Sequence, residues 1–466
     1  MSAQDNIRKW KEKTLDSKSA SFCGAKWFNA SIWLWSGTTA SCYHNPTHQI
    51  DLEAIKLNPK ALHNTPIKKL ERQMMQKGEK PVNCQFCWVM EDLDSKNLAD
   101  RTWQSTLTSD DELQRAFDTS HEEDFNLEYL EIGLDKTCQL ACSYCNPAIS
   151  SSWVKDIKQN GPYKGLITDT RNHYTATHED SKLFDYKDVN PYAEAFFKWW
   201  ETDLHKTLKQ LRITGGEPAM SGHLWKLFDW IINNPNKSQA KIELTTNLMY
   251  EKEKVDRLID FASKVDNKVE IWTSCECIGE KQEYIRDGFE WSIWTNNVTR
   301  LLESNVIQKI VLLSTLSNIA CDGFLEFLEW VIEQKIIHGK NKITVGVNPV
   351  RFPTFQNVIV LPMDMRIKYN KELKFFMSQN GSMFDPYETD VINRFIDYLL
   401  DVEIPHQEIS HMSFEKKLYE KGKNVLDVDL LEKDFKRFFV EYDKRRTKDF
   451  EKAFPNLKDW YDGIQL

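Results

Sequence analysis

Three cysteines, Cys138, Cys142 and Cys145, follow an apolar run with the spacing C-x3-C-x2-C. Three thiolates can hold three irons of a four-iron cluster and leave the fourth open. An open iron is a reactive site, whereas a fully ligated cluster only carries electrons. Two other readings use the same residues. A zinc site would need a fourth ligand, and three thiols can also be buried without any metal. The residue before the last cysteine is aromatic, in the string Cys-Gln-Leu-Ala-Cys-Ser-Tyr-Cys-Asn.

Four more cysteines stand upstream: Cys23, Cys42, Cys84 and Cys87. The last two form a C-x2-C knuckle, followed by Trp88 and Glu91. Four thiols fully ligate either a four-iron cluster or one zinc, because soft thiolates suit both metals. Of the remaining three, Cys321 reads as a buried thiol. Cys275 and Cys277 alternate with Ser274 and Glu276, so the two pairs point to opposite sides of an extended chain.

The elements that must position these groups change character along the chain. Residues 1–120 hold short apolar runs broken by Gly, Asn, Pro and charge, and form a small cysteine-rich domain. From about residue 125 the pattern alternates between strand and helix. Candidate strands are Leu127–Leu134, Gln210–Thr214, Lys241–Thr245, Lys268–Thr273, Lys309–Ser314 and Lys342–Val347. Their β-branched and aromatic content is that of buried parallel strands. Helical stretches such as Leu224–Asn233, Glu253–Val265 and Phe324–Lys335 lie between them, so βαβ units and a parallel sheet are expected. Six strands predict an α/β fold with an open, partial (β/α)6 barrel over 121–360. Residues 146–205 are an insertion, in which Ala193–Leu211 reads as an aromatic-rich helix. Trp153, Tyr192, Trp199 and Trp200 there form either a lid or core. Residues 361–466 are expected to be a helical, charged extension.

Chemistry in such folds gathers at the carboxyl ends of the strands. The first strand runs into the cysteine loop. The second ends in Gly215-Gly216-Glu217-Pro218, the third at Asn247, the fourth in Ser274-Cys275-Glu276-Cys277 and the sixth in Asn348-Pro349-Val350. Alone, a Gly-Gly pair is a tight turn and Asn247 a helix cap. A cysteine triplet after strand one joined to Gly-Gly-Glu-Pro after strand two is a far more specific combination.

On these motifs, residues 125–350 resemble the radical S-adenosylmethionine (radical SAM) superfamily. The resemblance implies a [4Fe-4S] cluster held by Cys138, Cys142 and Cys145. Its open iron would bind the amino and carboxylate groups of SAM. Reductive cleavage of SAM would then yield a 5′-deoxyadenosyl radical that abstracts hydrogen from a substrate. It further implies that Tyr144 contacts adenine through its backbone and that Gly215, Gly216 and Glu217 meet the methionine amino group. Asn247, Ser274, Arg286 and Val350 complete the implied SAM site, Arg286 being suited to a carboxylate. Glu276 is expected as a base or substrate contact, with a buried ion pair as its other reading.

The upstream string, with Trp27, Gly37 and a helical Ile67–Met75, resembles the SPASM/Twitch auxiliary-cluster domain. That implies a second [4Fe-4S] cluster on Cys23, Cys42, Cys84 and Cys87. A Cys-Cys pair common in that domain is here Cys42-Tyr43, which makes His44 an alternative ligand. The resemblance implies an electron donor such as flavodoxin or ferredoxin. It also implies a peptide or protein substrate, with a small-molecule dehydrogenase or epimerase as alternative. A zinc-stabilised binding protein without catalysis is the reading from another class.

Composition agrees with a folded globular chain: 41% hydrophobic and 12% aromatic over 466 residues. The formal charge of −9 argues against non-specific nucleic-acid binding. The polar N-terminus lacks a signal-peptide apolar segment, and no apolar run reaches the roughly 20 residues that cross a bilayer. A reducing, cytoplasmic location is expected, with cysteines as ligands or thiols rather than disulfides.

Overall fold

The computed structural model describes residues 3–93, 98–176, 189–400 and 427–466. Parts of two expected elements, residues 177–188 of the insertion and 401–426 of the C-terminal extension, lie outside the described residues. The fold is α/β and centres on a nine-stranded sheet. Its strands in chain order are β1 (Asn29–Trp33), β2 (Thr38–Ala40), β3 (His48–Gln49), β4 (Tyr129–Gly133), β6 (Gln210–Thr214), β7 (Lys241–Thr246), β8 (Val269–Ser274), β10 (Lys309–Leu316) and β11 (Ile343–Pro349). Two short strands, β5 (Ala141–Cys142) and β9 (Arg286–Asp287), pair with each other apart from it.

All six expected strands are present. They lie side by side in sequence order, β4-β6-β7-β8-β10-β11, each parallel to the next. Helices such as Gly222–Asn233, Lys252–Lys264 and Phe324–His338 connect them. This is the sheet of a partial (β/α)6 barrel. A seventh parallel strand, β1, pairs with β4 from within the first 120 residues, and β2 and β3 extend that edge antiparallel. The string Asn-Ala-Ser-Ile-Trp carries little strand signal, so this strand was not expected.

The strands alternate sharply between faces. Leu130, Ile132, Leu211, Ile213, Ile242, Leu244, Ile271, Ile310 and Leu312 point into the main core beneath the helices. The residues between them are polar: Glu131, Arg212, Glu243 and Glu270 form one row across four strands. The strands are buried and parallel as expected, but their buried inner row is polar. A barrel interior lined by polar groups leaves only one face apolar, and alternation follows.

A second, smaller core lies in the N-terminal region around Phe22, Trp27, Phe28, Met75, Leu113 and Phe125. The expected helix Ala193–Leu211 instead runs from Pro191 to Thr207, with a π-helical turn at Trp200–Leu204. The chain becomes extended at Leu208, and Leu211 belongs to β6. Trp153, Tyr192, Trp199 and Trp200 are all buried in the main core, so none of them is a lid. The C-terminal part is helical in its described residues, with Met363–Asn380, Pro386–Tyr398 and Val428–Arg446 as the main helices. Glu388 fastens the second of these to the sheet edge. It accepts the Val345 N–H at 2.8 Å and pairs with the buried Lys335 at 2.7 Å.

Candidate functional site

The cysteine loop leaves the carboxyl end of β4 and is held by its backbone. Cys142 and Ala141 form β5 and pair with Arg286 and Asp287 of β9. Trp153 Nε1 donates to the Cys142 carbonyl at 3.0 Å. Tyr174 Oη and Gln356 Nε2 donate to the Ser143 carbonyl at 2.5 and 2.8 Å. Tyr442, on the helix Val428–Arg446, donates to the Ala141 carbonyl at 3.2 Å. The sequence reading missed these four clamps, because each lies between 11 and 301 positions from its acceptor.

Hydrogen-bond donors also approach the sulfurs. The Leu140 N–H points at Cys138 Sγ (3.4 Å), Asn247 Nδ2 lies 3.9 Å from the same sulfur, and Arg286 Nη1 lies 3.6 Å from Cys142 Sγ. Burial pushes the Cys138 thiol up to about 12, with Cys142 adding to the effect. Cys142 is likewise raised by burial, against the pull of Arg286. Cys145 is raised well above the usual thiol range by burial, then by Cys142 and Cys138. Three thiols that oppose one another's ionisation are a poor set of free thiolates and a good set of ligands for a polycation.

The Gly-Gly-Glu-Pro loop packs directly on the cysteine loop. A Cβ on Gly215 would stand 2.4 Å from the Asp135 carbonyl oxygen, and one on Gly216 would stand 2.5 Å from that of Thr137. Gly215 also has φ +139, a region that strongly favours glycine. The Gly216 and Glu217 N–H groups donate to the Asp135 and Thr137 carbonyls at 3.0 and 2.6 Å. These glycines therefore let two loops touch. The buried Glu217 carboxylate accepts from the N–H groups of Ala219 (3.0 Å) and Asn247 (2.6 Å) and from Tyr250 Oη. Burial raises its pKa. Asn247 does not cap a helix: it makes a local turn by accepting from Met249 N–H at 2.9 Å.

Glu276 has neither a free oxygen nor solvent. It is 0% exposed and forms an ion pair with Arg286, Nη2 to Oε2 at 3.0 Å and Nε to Oε1 at 3.1 Å. Tyr144 Oη donates to Oε1 at 2.9 Å. Of its two expected roles the structure gives Glu276 the ion pair. Arg286 is correspondingly committed to Glu276 and to the Cys142 sulfur, where its expected partner was a ligand carboxylate. Ser274 ends β8 and has no side-chain hydrogen bond among the described residues. Val350 is buried beyond β11, its N–H bonded to the Leu316 carbonyl at 2.8 Å. Cys275 and Cys277 are fully buried in the main core, and Cys321 is buried beside them.

The upstream cysteines converge as well. Cys23, Cys42, Cys84 and Cys87 all line one cavity, with Lys26, His44 and Arg101. Burial, then Cys84 and Cys42, pushes Cys23 up to about 12. Asn45 ties two of the four together, accepting from Cys42 Sγ at 2.8 Å and donating toward Cys84 Sγ at 3.6 Å. His44 lines the cavity but stacks on Phe86 at 3.6 Å, and its Nε2 is bonded to Asp100 at 2.6 Å. Among the described residues, no three or more His, Cys, Asp or Glu are grouped as around a single metal ion. No helix among them is long and apolar enough to cross a membrane.

No protein-family model matches the chain, and no curated protein matches it. Similar solved structures include SuiB of Streptococcus suis bound to S-adenosylmethionine. It is 14% identical, covers 75% of this chain and 67% of its own, and has a TM-score of 0.32. Another is anSMEcpe with bound AdoMet and Kp18Cys peptide, at 12% identity, 54% and 60% coverage and a TM-score of 0.33. A third is TYW1 with a lysine-pyruvate adduct bound, at 15% identity, 50% and 68% coverage and a TM-score of 0.25. The chain spans about 60% of the length of anSMEcpe. Likeness at this level says nothing by itself of what this chain binds.

Proposed function

We propose that this protein is a radical SAM enzyme in which Cys138, Cys142 and Cys145 hold a [4Fe-4S] cluster. The observation that carries the reading is the packing of the cysteine loop against Gly215 and Gly216 at the carboxyl ends of adjacent parallel strands. Such a cluster, when bound, supplies the electron for reductive cleavage of SAM to a 5′-deoxyadenosyl radical. The protein's own residues prepare the place. Arg286, fixed by Glu276, sets a positive charge beside the Cys142 sulfur. Leu140 N–H and Asn247 Nδ2 face the Cys138 sulfur, where they offset ligand charge. The backbone of Gly215–Glu217, with Tyr144, Asn247, Ser274 and Val350 on the neighbouring strand ends, forms the SAM-binding rim.

In the same reading residues 1–120 are a Twitch-like auxiliary domain whose four cysteines hold a second cluster. Residues 121–360 are the catalytic barrel and 361–466 a helical extension that braces the cysteine loop. The location is cytoplasmic, the electron donor a flavodoxin or ferredoxin, and the substrate a peptide or protein. The test is anaerobic reconstitution with iron and sulfide, then reduction in the presence of SAM. About eight irons per chain are expected from two four-iron clusters, with release of 5′-deoxyadenosine. Zinc in place of iron, or iron-loaded protein that leaves SAM intact, sinks the reading.

A further inference from the structure

A second cavity adjoins the one that holds the upstream cysteines, and the two share Ser41, Cys42 and Gln104. It encloses about 170 Å³, room for a group of side-chain size. One wall is the N-terminal region, through Asn29, Ser41 and Tyr43. The other is the polar face of the sheet, through Glu131 and Arg212. Arg212 precedes Gly215 by three residues on the same strand and loop, so the cavity lies roughly 10 Å below the Gly-Gly turn at about 3.3 Å per residue. It stands between the two cysteine sets.

Its polar atoms are short of donors. Asn29 Oδ1, Ser41 Oγ and Glu131 Oε2 are buried and have no hydrogen-bond partner among the described residues. Asn29 and Ser41 are only 7% and 3% exposed. Glu243, on the far side of Arg212 in the same row, likewise has an unpartnered Oε2, although Lys241 bridges Glu243 and Glu270 at 2.8 Å each. Lys309 ends that row three strands away from Arg212. Buried acceptors without donors are costly, and so many in one place indicate a ligand that brings donors. Arg212 does not make the site anionic in preference. Its guanidinium stacks on the Trp272 ring at 4.4 Å. An anion entering here would face the Glu131 carboxylate beside Arg212.

We propose that this cavity holds the substrate by a protonated amine or guanidine, gripped by Glu131 with Asn29 and Ser41 and closed over by Tyr43. Calling that ligand the substrate rests on the radical SAM reading; the binding chemistry does not. A side chain so anchored extends its carbons toward the Gly-Gly turn, which makes a lysine- or arginine-like group the recognised element.

The experiment is titration of the full-length protein with agmatine, followed by saturation-transfer NMR, beside neutral N-butylacetamide and the dianion glutarate. Saturable agmatine binding is expected, weakened about tenfold or more by Glu131→Gln, the scale of a charge-assisted hydrogen bond. Tyr43→Phe, at an exposed side chain whose loss leaves the fold intact, should weaken it roughly threefold. Agmatine binding that neither variant changes, or glutarate bound in its place, overturns the proposal. The measurement needs neither iron nor SAM. A protein that binds agmatine but never cleaves SAM loses only the enzymatic reading, and one that cleaves SAM but ignores agmatine loses only this inference.

Discussion

Cys138, Cys142 and Cys145 come from one short loop, whereas Cys23, Cys42, Cys84 and Cys87 come from three places in the N-terminal region. The two sets are also held differently. The loop is fixed by neutral hydrogen bonds to its carbonyls from Trp153, Tyr174, Gln356 and Tyr442, with one buried ion pair, Arg286–Glu276, beside it. The upstream set sits beside a network of buried cations. Lys26 pairs with Glu71 at 2.6 Å, and Arg101 with Glu91 and Asp16 at 2.8 and 2.9 Å. Lys68 is fully buried against Thr39 Oγ1 and the Ala40 carbonyl, and Arg72 reaches Asn64 at 3.0 Å. A loop with its cysteines already at close spacing needs only backbone clamps. Cysteines gathered from distant segments need those segments held together, and here buried charge does it. That makes the N-terminal region the more sensitive of the two to changes in charge.

The largest effect separates the sets by function. Replacing Cys138, Cys142 and Cys145 with Ala should abolish 5′-deoxyadenosine formation. Replacing Cys84 and Cys87 should leave some uncoupled SAM cleavage but stop substrate turnover, with iron falling by about half. Full turnover in the second variant would remove the distinction between the sets.

Next in size is the single ion pair of the loop. Arg286→Met leaves Glu276 charged and buried, which should cost about 3–5 kcal/mol in urea unfolding. Adding Glu276→Gln should restore much of it, because removing both partners leaves no unpaired charge. A single variant as stable as the parent would mean that neutral clamps alone hold the loop.

A pH titration should single out the N-terminal region. Burial and Lys68 hold His48 down to about 4, and burial, Lys68 and Arg72 push His63 well below the usual imidazole range. The unfolded chain takes up these protons near 6.5, whereas the folded chain holds His48 unprotonated until about pH 4 and disfavours protonation of His63 as well. The stability they contribute is therefore complete above about pH 6.5 and is lost as pH falls toward 4. Hydrogen exchange at pH 5 should open amides of residues 48–72 before those of 129–145. Equal opening of both would mean that the two regions do not differ in their sensitivity to charge.

The smallest effect tests a clamp. Tyr442→Phe removes the hydroxyl that reaches the Ala141 and Tyr284 carbonyls and should cost about 1 kcal/mol, the net worth of one hydrogen bond. The loss should be read as faster exchange in the cysteine loop with the N-terminal region unchanged.

Much of this was legible before the fold was seen. The six parallel strands announce themselves through Ile, Leu and Val, and their helices through 3.6-residue periodicity. The Cys triplet and the Gly-Gly-Glu-Pro string are local, so their adjacency on neighbouring strands follows from strand order alone. Strand β1 escaped notice because Asn29 and Ser31 weaken its pattern and its partner lies about a hundred positions on. The aromatic insertion reads equally as lid or core, since periodicity does not say which side a ring finds. Glu276 remained between base and ion pair because Arg286, ten positions away, reaches it only through the pairing of β9 with β5.

Residue type and spacing set the donor atoms: which thiols exist, how the triplet is spaced, and that the strands carrying it run parallel. These depend on residue type and short-range periodicity, which a linear string records. Which charges meet is a property of the folded chain. Folding turned Glu276 and Arg286 into a fixed pair beside Cys142. It gathered four scattered cysteines onto one cavity, and it lined up Glu131, Arg212, Glu243 and Glu270 in a single row. Each of these depends on register between segments far apart in the chain, and register is set by packing of the whole.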